Sequence, residues 1–201
     1  NTVNANNSVA VGANNTITST TGTSVNITNT TIGASNVTFK SVSCNGASNG
    51  IVLNTTGSSG GFVVTGTGTT DGSGGTIQSI TNRGVSAINT INLSLKNMTF
   101  TNANMMDVPP ITTNAADNSL CNAAIHMNTV TNAILDNVDI NGAAQQGINI
   151  KEVNGLQLLN STVINGGAGG QTEESDFYAL NLFGTCVITN CSMTVPAERA
   201  A

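Results

Sequence analysis

Short runs of alternating apolar and polar residues fill this chain, and they recur. One phrase sets apolar residues at alternate positions, then Asn, then apolar–polar–apolar. Leu93-Ser-Leu-Lys-Asn97-Met-Thr-Phe100 is its clearest copy. Ala133 to Ile140, Leu156 to Val163, Cys186 to Met193 and Val25 to Ile32 repeat it, and Val37 to Cys44 carries Ser41 in place of Asn. A second phrase, a small residue followed by apolar–x–apolar, lies between copies of the first. It appears as Gly50-Ile-Val-Leu53, Gly84-Val-Ser-Ala87, Ala124-Ile-His-Met127, Gly147-Ile-Asn-Ile150 and Ala179-Leu-Asn-Leu182. Alternation of period two marks β-strands with one buried face. No stretch shows helical periodicity, so the chain reads as all-β.

The two phrases keep step. Ala133 to Leu156 spans 23 residues and so does Ile125 to Ile148; Leu93 to Ala133 and Val85 to Ile125 both span 40. Equal offsets mean that whole structural units repeat, some with insertions, which predicts a solenoid. A unit of roughly 20 to 25 residues holds three short strands, and successive units pair as parallel strands about 4.8 Å apart. The expectation is about seven coils of three short strands in one domain over residues 1–201. Leu93, Ala133, Leu156 and Cys186 then form one interior column, and Phe100, Ile140, Val163 and Met193 another. Asn29, Asn97, Asn137, Asn160 and Asn190 are expected at a tight corner. Asn tolerates the left-handed backbone there, and stacked amides bond from layer to layer as a ladder.

These strand-turn-strand units, from about Val25 to Met193, resemble the right-handed parallel β-helix family of pectate lyases and large bacterial surface proteins. The stretch Gly50-Ile-Val-Leu-Asn-Thr-Thr-Gly-Ser-Ser-Gly-Gly-Phe-Val-Val-Thr-Gly is similar to repeats of giant adhesin-like proteins. The resemblance implies a secreted or cell-surface, non-enzymatic adhesin or stalk segment. Its partners would be cell-surface glycans or proteins, or neighbouring repeats of the same chain. The rival it implies is a carbohydrate-active enzyme, a polysaccharide lyase or glycoside hydrolase. The hydrolase motifs of that family (Asn-Thr-Asp, Asp-Asp, Gly-His-Gly, Arg-Ile-Lys) are absent. Arg83 is the residue to propose as a lyase base, but no Asp column accompanies it to hold calcium.

Composition narrows the choice. Only 7% of residues are charged, there is no Trp, and Tyr178 is the single Tyr, so aromatic platforms for sugar rings are scarce. Disorder is the competing reading of a chain this rich in Gly, Ser and Asn, and the repeated alternation argues against it. With a net charge of −5 and five scattered cations, the chain lacks the basic stripe that nucleic acid or an anionic membrane selects. No apolar run approaches the roughly 18 residues that span a bilayer, so no membrane insertion is expected. The chain opens within the pattern and without a leader-like stretch, and reads as a piece of a longer protein.

Two insertions, at about 101–122 and 166–177, leave one flank of the fold, and long loops on a scaffold are where binding concentrates. Their acids, Asp107, Asp117, Glu173, Glu174 and Asp176, are the oxygen donors that calcium takes. The plainer reading is a solvated acidic surface with no cofactor. A further detour runs from Gly66 to Gly75 around Asp71. His126, the single histidine, falls at an outward strand position between Ser86 and Asn149. It reads as a surface residue, with a general base as the alternative. Of the four cysteines, Cys44, Cys186 and Cys191 read as buried hydrophobes, with a Cys186–Cys191 bridge as the alternative, and Cys121 lies in a loop. The Thr content raises an ice-binding face, but Thr28-Asn-Thr-Thr31 is not echoed in register. The Asn-x-Ser/Thr triplets follow from the strand pattern and do not establish glycosylation.

Overall fold

The computed structural model of the chain describes residues 14–108, 118–167 and 174–194. Sixteen strands, numbered in chain order, form two parallel sheets, and the described residues contain no helix. None of them therefore belongs to a helix long and apolar enough to cross a membrane. The first sheet has seven strands: β1 (Thr16–Ser19), β4 (Ser41–Asn45), β7 (Gly75–Gln78), β9 (Met98–Thr101), β11 (Asp139–Ala143), β13 (Thr162–Gly166) and β16 (Ser192–Thr194). The second has nine. Its main path is β2 (Val25–Thr28), β5 (Asn49–Asn54), β8 (Arg83–Lys96), β10 (Ala123–Asp136), β12 (Gln146–Leu159) and β14 (Ser175–Phe183). To it attach β3 (Val37–Phe39), β6 (Phe62–Val64) and β15 (Val187–Thr189).

This corrects the expected single stack of about seven right-handed β-helix coils, each of three short strands. The strands gather into two parallel sheets, and β8, β10 and β12 are unbroken strands of 14 residues. The reason lies in their corners. In β8 two single left-handed residues, Asn89 (φ 48°) and Asn92 (φ 53°), bend the backbone three positions apart. Thr129 and Asn132 do the same in β10, and Glu152 and Gly155 in β12. Bends this tight stay in register with the neighbouring strand, so pairing continues through them. Two runs read as separate strands therefore belong to one.

Register follows the offsets in the sequence. Ala133 pairs with Leu93 on one side and Leu156 on the other. Ile140 pairs with Phe100 and Val163, and Val163 with Met193. Ile51, Val85, Ile125 and Ile148 form a fully buried column. Burying each such side chain stabilises the fold by about 1.5–3 kcal/mol before entropy is counted. Val25 stands in this same column through Ile51, so β2 belongs with the small-x-apolar phrase and not with the Asn phrase. A column one layer deeper in the corner holds a polar pair: the Thr56 and Thr90 hydroxyls bond each other in full burial, while Val130 takes the next place.

The small residue that opens the second phrase has a steric cause. At Gly147 a Cβ would stand 2.5 Å from Val163 Cγ1 and 2.6 Å from the Asp176 carbonyl oxygen. This corner position faces the other sheet, and only a hydrogen or, at Ala124, a methyl fits there. Four corner residues of a separate column, Ser79, Asn102, Gly142 and Asn165, also have positive φ. Both long insertions leave from this column, after β9 and after β13.

Candidate functional site

Outward positions on the second sheet form a row across five strands: Val52, Ser86, His126, Asn149 and Tyr178. Alternation places His126 on the outside, and there it points. It is nevertheless fully buried, at 0% exposure, and Asn118, at the returning end of the insertion, is bonded to Asn149, the next residue of the row. The expected surface histidine is instead an enclosed one.

Amide side chains pin the insertion down. Asn104 Nδ2 donates to the Asn82 carbonyl (2.8 Å) and the Met106 carbonyl (2.8 Å), while its Oδ1 accepts from Gln145 N (2.8 Å). The Asn122 backbone N–H donates to Gln145 Oε1 (2.6 Å), and its side chain to the Met106 carbonyl (3.0 Å). Asn118 Nδ2 donates to Asn149 Oδ1 (2.6 Å) and to the Ile150 carbonyl (2.7 Å), and Asn149 Nδ2 donates back to the Asn118 carbonyl (3.1 Å). Each such bond in a buried or part-buried setting is costly to leave unmade, so the described ends of the insertion are tied to the fold beneath them.

Arg83, the first residue of β8, is held by the returning arm. Its Nη2 donates to the Ser119 carbonyl (2.9 Å), its Nε to the Cys121 carbonyl (3.2 Å) and its Nη1 to Ser86 Oγ (3.5 Å). All three acceptors are neutral. No carboxylate forms an ion pair with this guanidinium among the described residues, where Lys96–Asp136 is the pair seen. Burial lowers the guanidinium pKa, opposed by the Cys121 thiol, but an arginine remains a cation. His126 responds to the same surroundings. Burial first, and the nearby Arg83 charge second, hold its imidazole down at about 3. Neither ring nitrogen has a hydrogen-bond partner. A neutral, enclosed imidazole with no carboxylate to orient it does not serve as a general base.

Beside Arg83 opens a cleft of about 400 Å3. Val52 and Val108 form its apolar walls, and Asn49, Asn82, Asn122 and Ser86 supply the polar lining. Arg83 is the one ionisable group among these lining residues. The side-chain amides of Asn49 and Asn82 make no hydrogen bond in the described structure, so they face the cleft with free donors and acceptors.

The other sequence candidates lie elsewhere. Asn97, Asn137, Asn160 and Asn190 share the corner column, each with φ between 50° and 55°. Asn137 Nδ2 donates to Asn97 Oδ1 (2.8 Å) and Asn190 Nδ2 to Asn160 Oδ1 (3.1 Å). The step between these pairs is different, since Asn160 Nδ2 turns to Asp136 Oδ1 (3.0 Å). Asn97 Nδ2 reaches the Thr65 and Gly68 carbonyls and Asn137 Nδ2 reaches Asp71, so the 66–74 detour folds over this column. Asn29 stands in another corner column, where its N–H donates to the Asn54 carbonyl (2.9 Å).

Asp117 and Glu173 lie outside the described residues. Glu174 and Asp176 are buried. Asp176 Oδ1 accepts from Gly166 N (2.7 Å), and burial raises its carboxyl pKa against the lowering effect of the Gly166 and Thr194 N–H groups. Among the described residues, Asp107, Glu174 and Asp176 do not gather with any third His, Cys, Asp or Glu into a group able to hold a metal. The four thiols are free; Cys186 Sγ is directed to the Phe183 carbonyl and Cys191 Sγ to the Leu158 carbonyl, and Cys121 is buried.

No family model matches the chain, and no curated protein or solved structure is significantly similar to it. The cleft was not legible in the sequence as a site. The available signal was the amide content of the insertion, Asn104, Asn118 and Asn122, beside a lone arginine.

Proposed function

We propose that this chain is a non-enzymatic binding segment of an extracellular or cell-surface protein, an adhesin or stalk piece that engages glycans through the cleft beside Arg83. One observation carries the reading: a pinned insertion borders a cleft lined by the free amides of Asn49 and Asn82 and by a guanidinium with no ion pair among the described residues. Amides and hydroxyls at a rigid surface suit ligands rich in hydroxyl groups, with apolar walls for their C–H faces. A catalytic reading needs a proton-transfer pair, and the described lining residues include no carboxylate and no histidine.

The test is a glycan array with a cell-binding assay, with and without calcium, on the chain and on Val52→Trp. The substituted indole occupies the cleft and removes no pinning bond. Binding that Val52→Trp abolishes supports the reading. Binding untouched by that change, or no binding, refutes the cleft as the site, and release of cut sugars refutes the non-enzymatic assignment.

A further inference from the structure

Arg83 places a positive charge at the wall of this cleft. Arg83 carries five N–H donors in a planar fork. Its bonds to Ser119, Cys121 and Ser86 engage one hydrogen each on Nη2, Nε and Nη1. One donor on each terminal nitrogen is left, and both nitrogens belong to a side chain lining the cleft. The cation sits where burial has stripped much of its hydration, and none of the described lining residues carries a carboxylate to offset it. A planar two-oxygen anion is the natural complement of two such donors. The amides of Asn49 and Asn82 stand free beside it, suited to hydroxyl groups carried on the same molecule. Val52 and Val108 leave room for a ring, since about 400 Å3 lies at the lower end of ordinary ligand sites.

We infer that the cleft selects a carboxylated sugar, whose carboxylate sits on Arg83 and whose hydroxyls meet Asn49 and Asn82. This rests on the binding role proposed above and adds the charge of the ligand. The selectivity is electrostatic in origin, so it weakens with ionic strength.

The experiment is a calorimetric and NMR titration of the chain with glucuronate, glucose, acetate and sulfate at low and high salt. Glucuronate is expected to bind roughly tenfold or more tightly than glucose, the scale of one charge-assisted bond, and tighter than acetate. Arg83→Gln should erase the preference for glucuronate over glucose. Because Arg83 also holds two loop carbonyls, Asn49→Ala serves as a second variant that breaks no bond in the described structure. It should weaken glucuronate and leave acetate unchanged. Sulfate or acetate binding as tightly as glucuronate would reduce the site to a bare anion site and overturn the inference. Equal affinity for glucose and glucuronate would overturn it as well. In that outcome a glycan-array signal lost in Val52→Trp would still leave the broader binding role standing, so the two failures are distinguishable.

Discussion

Acidification tests the burial of His126 directly. In the unfolded chain its imidazole takes up a proton as pH falls through its ordinary value of 6.5; in the folded protein it does so only at about 3. Between these values the unfolded state binds more protons, so stability is greatest above 6.5 and falls as pH falls. Each pH unit inside the window costs about 1.4 kcal/mol. Lowering pH from 7 to 5 crosses about 1.5 units of it and should cost about 2 kcal/mol through this residue alone. Asp176, with its raised carboxyl pKa, acts in the opposite sense: its contribution grows as pH falls toward the ordinary carboxylate range. The wild-type profile is therefore a sum, and the difference from His126→Gln isolates the histidine. Urea unfolding followed by circular dichroism would be run on both proteins at pH 7, 6 and 5. The stability gap should move by about 2 kcal/mol in favour of the variant at the acid end. Parallel profiles would mean that the imidazole is hydrated or paired in the native state, and would refute its enclosure.

Other substitutions probe the corners and the core. Asn97→Ala removes the bonds to the Thr65 and Gly68 carbonyls and forces alanine into positive φ, so it should cost about 2–4 kcal/mol by urea unfolding, with Asn97→Gly costing less. Gly147→Ala drives a methyl against Val163 and the Asp176 backbone and should cost about 1–3 kcal/mol by the same assay. Thr56→Val strands the buried Thr90 hydroxyl and should cost about 1–3 kcal/mol. The double change Thr56→Val with Thr90→Val should cost less than Thr56→Val alone, because Val130 already fills the next place in that column; a double-mutant cycle measures the difference.

The interior was readable because its period is two and its repeats keep constant offsets. The pairing of Leu93, Ala133 and Leu156 needs nothing else. Val25 reads with the Asn phrase because an alternating run followed by left-handed Asn looks alike at Asn29 and at Asn97, though they stand in different columns. The strand count differs for a related reason: Asn89 and Asn92 each absorb a bend in one residue and let pairing pass through. For His126, alternation gives the direction of the side chain and says nothing of what lies above it. Asn118 of the insertion is bonded to Asn149, the neighbour of His126 in the row, and a contact of that range leaves no periodic trace.

The corner turned by Asn102, Gly142 and Asn165 has a consequence for how such a protein changes over time. Strands on either side pair identically whether the intervening chain is brief, as between β11 and β12, or some twenty residues long, as between β9 and β10. Doubling a flexible excursion costs only about 0.6 kcal/mol of closure entropy. New sequence is thus admitted at this edge at little thermodynamic cost, while the stacked interior stays untouched. The same edge is a natural acceptor for grafted peptides, a socket in which recognition diversifies without renegotiating the fold.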